Sequence, residues 1–237
     1  MKGMVYEFAS KVDKLISSLS KEDICLRNKN TNAKRLIEEL FPISRFALKL
    51  AHPGYDVLVE AHENSGPVDG TIILGKDNDR KYFVEVTYIY SYKESMRNEL
   101  LLKTGSVPVS GDINRDKASG DVIAESTIQT IDALLNQLAA NIIERYSDKC
   151  KKNYPKGTFL IIAFDDPTIF GFGFWSQLLE EIDRQGGLPD GDFTEVNLLN
   201  CATNEMQKIT YTEQELIVMN LRNEYKANKV LPKNSNT

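Results

Sequence analysis

Hydrophobic and polar residues follow two different periodicities along this chain, and they predict both helices and strands. Apolar side chains recur at helical spacing in residues 4–20 and again in 122–147, where a long stripe predicts the longest helix. Residues 158–164 are almost continuously apolar, as is typical of a strand buried on both faces. Two further apolar runs, Val68–Leu74 and Tyr82–Ile89, flank a polar turn and predict a β-hairpin.

The remaining segments complete an alternation of helices and strands. A helix capped by Thr31 or Asn32 is expected to run to Phe41, where Pro42 interrupts it before a short helical piece to Ala51. Other expected elements are a charged connection at Lys21–Lys29, strand Tyr55–His62, helix Ser91–Leu102, a polar loop to Asp121, helix Trp175–Arg184, and strands Phe193–Leu199 and Met206–Tyr211. This order predicts an α/β sandwich with a mixed sheet, in which the long helix crosses over to a parallel strand.

Two carboxylates interrupt the hairpin where a charge is costly. Asp69 lies near the start of its first strand, and Glu85 lies within its second strand. Because side chains alternate along a strand, Glu85 and Thr87 share one face while Val84 and Val86 occupy the other. Two buried carboxylates on adjacent strands repel each other unless a cation lies between them, and oxygen ligands of this kind suit Mg²⁺. The pattern therefore predicts a metal site at the hairpin.

The hairpin contains the pattern P-x-D, then 15 residues, then E-x-T, formed by Pro67, Asp69, Glu85 and Thr87. This pattern resembles the active-site hairpin of the PD-(D/E)XK nuclease superfamily, the restriction-endonuclease-like fold. The resemblance implies a three-layer α/β core with a mixed central sheet, in which Asp69 and Glu85 bind Mg²⁺ or Mn²⁺. The sequence departs from the family pattern at two points. Pro67 lies one residue further from Asp69, and Thr87 replaces the lysine that positions or activates the attacking water.

The resemblance also implies a helical glutamate beside the metal, and either Glu38 or Glu39 fits that description. Glu39 is the preferred third ligand, with Arg35 one turn before it on the same side. Local ion pairs with Lys34 and Arg35 explain both glutamates equally well. Lys93 is the nearest lysine in sequence that could supply the missing ammonium, and a solvated surface lysine is the alternative interpretation.

A basic cluster follows the predicted long helix. It contains four lysines, Lys149, Lys151, Lys152 and Lys156. Such a cluster is a candidate contact for the phosphates of DNA or RNA. Cations at a helix C-terminus are also favoured by the helix dipole, by about 0.3–1 kcal/mol each, so the cluster has an explanation without any ligand.

Composition excludes several classes of protein. The formal net charge of −5 gives no global positive field for nucleic acid. Three distant cysteines, Cys25, Cys150 and Cys201, lack CxxC spacing and are expected to be free thiols in a reducing cytosol. The chain shows no P-loop pattern, signal peptide or membrane-spanning apolar run. We therefore expect a cytoplasmic protein with no membrane partner.

One domain with short additions is expected. Residues 1–30 should form an N-terminal helical extension, 31–222 the PD-(D/E)XK-like domain, and 223–237 a flexible tail. The resemblance implies Mg²⁺-dependent hydrolysis of phosphodiester bonds in DNA or RNA. The alternative is a catalytically inactive member that binds nucleic acid or a protein partner, or forms a homodimer. Thr87 and the acidic net charge favour this alternative.

Overall fold

A seven-stranded mixed sheet forms the centre of the protein. The structure is a computed structural model and describes residues 1–27, 32–63, 66–75, 80–90, 92–108, 112–125, 130–167 and 169–209. Its strands are β1 (Lys2–Met4), β2 (Val57–Ala61), β3 (Gly70–Leu74), β4 (Arg80–Tyr88), β5 (Ile113–Arg115), β6 (Val122–Ala124), β7 (Thr158–Phe164), β8 (Glu195–Asn200) and β9 (Glu205–Lys208). The large sheet has the order β1-β2-β3-β4-β7-β8-β9, and β5 pairs with β6 in a separate two-stranded sheet.

Helices lie on both faces of the large sheet. They are α1 (Val5–Ser17), α2 (Lys21–Leu26), α3 (Ala33–Arg35), a π-helical turn (Leu36–Leu40), α4 (Phe41–Leu50), α5 (Tyr92–Thr104), α6 (Ile131–Cys150) and α7 (Gly171–Arg184). α1 and α4 pack on one face, and α6 and α7 pack on the other. The predicted three-layer α/β architecture with a mixed central sheet is therefore confirmed. Within the described residues, no helix combines the length and apolar character needed to cross a membrane.

Strand β7 joins the two hydrophobic cores. All seven of its residues are buried, as its continuous apolar sequence predicts. Ile161 and Ala163 belong to the core under α1 and α4, whereas Leu160 and Ile162 belong to the core under α6 and α7. β7 runs parallel to both β4 and β8, with Glu85 of β4 opposite Leu160. Glu85 therefore lies at the centre of the sheet, on the α6 side.

The first helical layer differs from the prediction in two places. Lys21–Lys29 is not simply a connection, because Lys21–Leu26 forms α2, capped by reciprocal hydrogen bonds between Ser20 and Asp23. Pro42 does not interrupt its helix either, because the chain continues from the π-helical turn into α4. In that turn the Phe41 N–H donates to the Leu36 carbonyl, one residue further back than in an α-helix. This wider turn accommodates a proline that has no N–H to donate.

The long helix also starts later than predicted. α6 begins at Ile131, capped by Thr130, and extends to Cys150. Val122–Ala124, expected in the helix, instead forms β6 and pairs with β5 inside the predicted loop. The N-terminal residues are more than an extension, because β1 is an edge strand of the large sheet. The predicted flexible tail, 223–237, lies outside the described residues.

Arg27 attaches α2 to the rest of the fold. Its guanidinium lies 5.5 Å from the Tyr88 ring centroid and 5.3 Å from that of Tyr90. It also forms ion pairs with Glu38 at 3.7 Å and with Asp165 at 3.8 Å, and its side chain is only 9% exposed. One cation therefore connects the end of α2, the π-helical turn and the end of β7.

Replacing Arg27 with Met should destabilise the protein, because it removes the cation between two partly buried carboxylates. We expect the free energy of unfolding to fall by up to about 3 kcal/mol. This is the lower end of the range for removing one partner of a buried ion pair, because Asp165 is partly exposed. Denaturant unfolding followed by circular dichroism measures the change. The control is Lys34→Met, because Lys34 is 53% exposed and 3.9 Å from Glu38, and it should change stability by less than about 0.5 kcal/mol. Equal effects of the two substitutions would contradict the role of Arg27.

Candidate functional site

Asp69 and Glu85 lie side by side on adjacent strands. Gly70 of β3 pairs with Val84 of β4, which puts the preceding Asp69 next to Glu85 on the same face. The Asp69 N–H donates to the Val84 carbonyl at 3.0 Å. The Asp69 carboxylate in turn accepts the Val86 N–H at 2.8 Å. The predicted adjacency of the two strands is therefore present, and a backbone hydrogen bond fixes the Asp69 carboxylate.

The surroundings of the two carboxylates destabilise their charged forms. Burial, first of all, raises the pKa of Asp69 above its usual range, and the negative charge of Glu39 contributes in the same direction. Burial likewise raises the pKa of Glu85, followed by the charge of Asp69. The carboxyl groups are also close enough to share a hydrogen bond. Glu85 is only 7% exposed, so solvent screens this repulsion poorly.

The cation that neutralises this pair is Lys149. Its ammonium donates to Glu85 Oε1 at 2.5 Å and to the Val86 carbonyl oxygen at 3.2 Å. It also acts on Asp69, whose pKa its charge lowers against the larger effect of burial. Lys149 comes from the last turn of α6, and its side chain is only 15% exposed. The lysine predicted to contact phosphate from a surface cluster is thus a buried partner of the acidic pair.

Tyr154 is a site residue that the sequence did not reveal. Its hydroxyl donates to Glu85 Oε1 at 3.1 Å, and its ring lies 5.1 Å from that of Phe193. Burial and the neighbouring carboxylate both raise the pKa of this phenol. Glu85 therefore receives one charged and one neutral hydrogen bond on the same oxygen.

The loop before β3 holds Asp69 from the other side. The His62 N–H donates to the Asp69 carbonyl at 2.9 Å. The His62 ring contacts the Val68 carbonyl at 3.1 Å and the Thr71 hydroxyl at 3.0 Å. Arg35 donates to the His62 carbonyl at 2.5 Å. These contacts link the helical layer to the backbone that carries Asp69.

The two helical glutamates have different partners. Glu38 faces Arg27 and Lys34. Glu39 pairs with Arg35 at 3.5 Å and is 38% exposed, and its charge acts on Asp69. Burial raises the pKa of Glu39, while Arg35 opposes this effect. Of the two, Glu39 is therefore the glutamate whose charge acts on the acidic pair.

Lys93 and Thr87 are placed differently with respect to the acidic pair. The Lys93 ammonium donates to Asp112 at 3.1 Å, and its side chain is 55% exposed. Lys93 therefore forms a surface ion pair next to the β5–β6 sheet. Thr87 is buried on the face of Glu85, two residues further along β4. The ammonium that reaches Glu85 comes from Lys149, and the expectation that Lys93 supplies it is not supported.

The other three lysines of the cluster remain at the surface. Lys151 pairs with Asp148 at 2.8 Å, within the last turn of α6 and the residues after it. Lys152 and Lys156 are exposed on the connection to β7. The four predicted lysines therefore divide into one partly buried site residue and three surface residues.

The oxygens at this site match the preferences of a hard divalent cation. Two carboxylates and the Val86 carbonyl lie together, and the Lys149 ammonium shows that the position between Glu85 and Val86 accepts positive charge. Among the described residues, no group of three or more His, Cys, Asp or Glu side chains is arranged to hold a metal. A metal here would therefore be held by two carboxylates and a backbone oxygen.

Comparison of the chain with protein-family models, with curated proteins and with solved structures gives no match. The case for a function therefore depends on the geometry of the acidic pair.

Replacing Asp69 with Asn should stabilise the protein at neutral and alkaline pH. The folded state binds the protons of Asp69 and Glu85 more tightly than the unfolded chain does, so ionisation of the pair lowers stability. The penalty is absent below the usual carboxyl pKa values and develops as the pH rises through the elevated ones. Asn removes one charge, and its amide oxygen can still accept the Val86 N–H. We expect the melting temperature to rise by about 2–4 °C at pH 8, and the gain to shrink toward pH 4.

The matched control is Asp56→Asn, at an exposed position just before β2. It should leave the melting temperature nearly unchanged across the same pH series. A lower melting temperature for Asp69→Asn at pH 8, or a gain that grows on acidification, would contradict the destabilising role of the pair.

Proposed function

We propose that this chain is a PD-(D/E)XK-like nuclease that hydrolyses phosphodiester bonds of DNA or RNA with Mg²⁺ or Mn²⁺. The observation that carries the proposal is the pairing of Asp69 with Glu85 across adjacent strands, together with the Lys149 ammonium on Glu85 Oε1 and the Val86 carbonyl oxygen. Burying two carboxylates that repel each other destabilises the fold, and a structural role gives no reason to keep both. A cation-dependent reaction gives such a reason, because it needs both carboxylates to hold the cation.

Asp69, Glu85 and the Val86 carbonyl would hold the metal. When bound, Mg²⁺ supplies positive charge to the phosphate and lowers the pKa of water. Asp69 is fixed by the Val86 N–H and Glu85 by Tyr154, so their oxygens are oriented before any ligand arrives. Glu39 is close enough to act on Asp69 and would orient water at the edge of the site.

Lys149 takes the role of the lysine that the family carries two residues after the glutamate. Thr87 has a neutral hydroxyl, which cannot supply the charge of an ammonium. Lys149 reaches Glu85 from α6 instead of from β4, and it brings the same functional group to the same carboxylate. Its ammonium would stabilise the negative charge that develops on the phosphate, or hold the attacking water by a hydrogen bond.

The reducing cytoplasm is the proposed location. The three cysteines are free thiols in the structure, which suits a compartment where thiols stay reduced.

The first test is cleavage. Wild-type protein with Mg²⁺ or Mn²⁺ should cut DNA or RNA, and Asp69→Asn and Lys149→Met should each reduce the rate by about 10²-fold or more. Lys151→Met is the matched control, because it removes a lysine on the same helix end whose partner is the surface Asp148. It should keep the wild-type rate.

Thr87→Lys in the Lys149→Met background should restore part of the activity, because it returns an ammonium to the family position. If the wild type cuts neither DNA nor RNA with either metal, and Thr87→Lys is also inert, the nuclease proposal is wrong. The alternative, a catalytically inactive module that binds nucleic acid or a protein partner, would then be retained.

The second test separates metal binding from chemistry. Lys149 occupies the position next to Glu85 and Val86, so a metal must compete with its ammonium. Lys149→Met should therefore bind Mn²⁺ more tightly, by about tenfold or about 1.4 kcal/mol, although it cleaves more slowly. Isothermal titration calorimetry with Mn²⁺ alone measures this affinity. Unchanged or weaker binding would show that Lys149 and the metal do not share these oxygens.

A further inference from the structure

One part of the sheet face that carries the acidic pair has no helical cover among the described residues. The core under α6 and α7 takes its sheet residues from β7, β8 and the end of β4, and none from β2 or β3. α1 and α4 lie on the opposite face. Strand register places six side chains on this area, of which Thr71 is buried and Glu60 is ion-paired with Lys2. We call the other four the open sheet surface: Leu58, Ile73, Lys81 and Phe83.

Phe83 is the central residue of the open sheet surface. It is half-buried and belongs to neither hydrophobic core. It lies two residues before Glu85 on β4 and on the same face, a separation of about 7 Å along the strand. The Lys81 ammonium lies 5.1 Å from the centre of its ring. An aromatic ring thus lies beside the acidic pair, and it makes a cation–π contact with Lys81.

Exposed lysines lie beside this ring. Lys81 is exposed near the start of β4 and shares the face of Phe83. Lys156 is also exposed, two residues before Thr158, which pairs with Phe83. Three carboxylates share this face: Glu60 is paired with Lys2 at 3.2 Å, and Asp69 and Glu85 form the acidic pair. Lys81, Lys156 and the Lys149 ammonium on Glu85 therefore outnumber the two carboxylates of the pair, a local excess of positive charge in a chain whose net charge is −5.

We propose that the open sheet surface binds single-stranded nucleic acid, with an unpaired base stacked on Phe83 and the backbone along Lys81 and Lys156. Aromatic side chains stack on bases whose faces are free, whereas duplex bases are covered by their neighbours. The proposal deepens the nuclease proposal, since it names the substrate as a strand with unpaired bases near the cut.

The energies favour exchange of Lys81 for a base. An exposed cation–π contact contributes about 0.5–1 kcal/mol, whereas stacking of one base on an aromatic side chain contributes about 1–3 kcal/mol. A base can therefore displace the Lys81 ammonium from the ring. Once displaced, the ammonium is free to contact a phosphate, where it contributes to salt-dependent binding.

The test is fluorescence anisotropy in EDTA, so that no cleavage occurs, with a labelled single strand and with the matching duplex. The wild type should bind the single strand more tightly. Phe83→Leu, which keeps an apolar side chain, should weaken single-strand binding about fivefold or more, and Phe83→Tyr should retain it. Lys81→Met should lower the slope of log affinity against log salt by about 0.7.

Phe172→Leu is the matched control, because Phe172 is 87% exposed at the start of α7, and it should bind as the wild type does. A strand that is abasic throughout should be insensitive to Phe83→Leu. Tighter binding of the duplex, or wild-type affinity of Phe83→Leu for the single strand, would overturn the proposal. If Phe83→Leu melts early, Phe83→Tyr decides, because loss of single-strand binding in this ring-preserving variant also overturns it.

Failure of this proposal and failure of the nuclease proposal give different results. Single-strand binding that depends on Phe83, with no cleavage in Mg²⁺ or Mn²⁺, supports the surface and rejects the nuclease. Cleavage that depends on Asp69, with no effect of Phe83→Leu on binding, supports the nuclease and rejects the surface.

Discussion

Electrostatic repulsion between Asp69 and Glu85 is the constraint on which the arrangement around the site depends. The register of β3 and β4 brings two poorly solvated carboxylates together, and burial raises the pKa of both. Such a pair folds only when hydrogen bonds and a cation offset the repulsion. The Val86 N–H, the Tyr154 hydroxyl and the Lys149 ammonium supply them from β4, the connection after α6, and α6 itself. The site therefore connects the sheet to its second helical layer.

The fold supports this pair from both faces. β4 is the fourth of seven strands, so neither carboxylate lies at an edge of the sheet. On one side, Arg27 holds the π-helical turn through Glu38, and the charge of Glu39, the next residue of this turn, acts on Asp69. π-Helical turns are rare and frequently occur at functional sites. Here the turn has a local cause in Pro42, and its effect is to present successive glutamates to two different partners.

The sequence predicts the hairpin and the buried strand because their signals are local. Asp69 and Glu85 stand out as charges in apolar runs, and residues 158–164 form a strand with the predicted bounds. The Lys149 contact is not local, since it joins residues 64 positions apart. One signal points toward it: Lys149 ends the crossover helix shortly before β7, the parallel strand to which the crossover leads. The predicted start of α6 is wrong because the apolar residues of Val122–Ala124 suit a short strand as well as a helix.

The origin of the ammonium bears on whether Thr87 argues against catalysis. A lysine at position 87 would be anchored to β4, on the same strand as Glu85, and would stay near the carboxylate in every state. Lys149 instead extends from the end of a helix, on a side chain with four rotatable carbons, and its contacts are two oxygens that a metal also prefers. It neutralises the pair here, and it would be free to contact a phosphate if Glu85 and the Val86 carbonyl held a metal. Thr87 is therefore compatible with an active site in which one lysine first stabilises the fold and then serves the reaction.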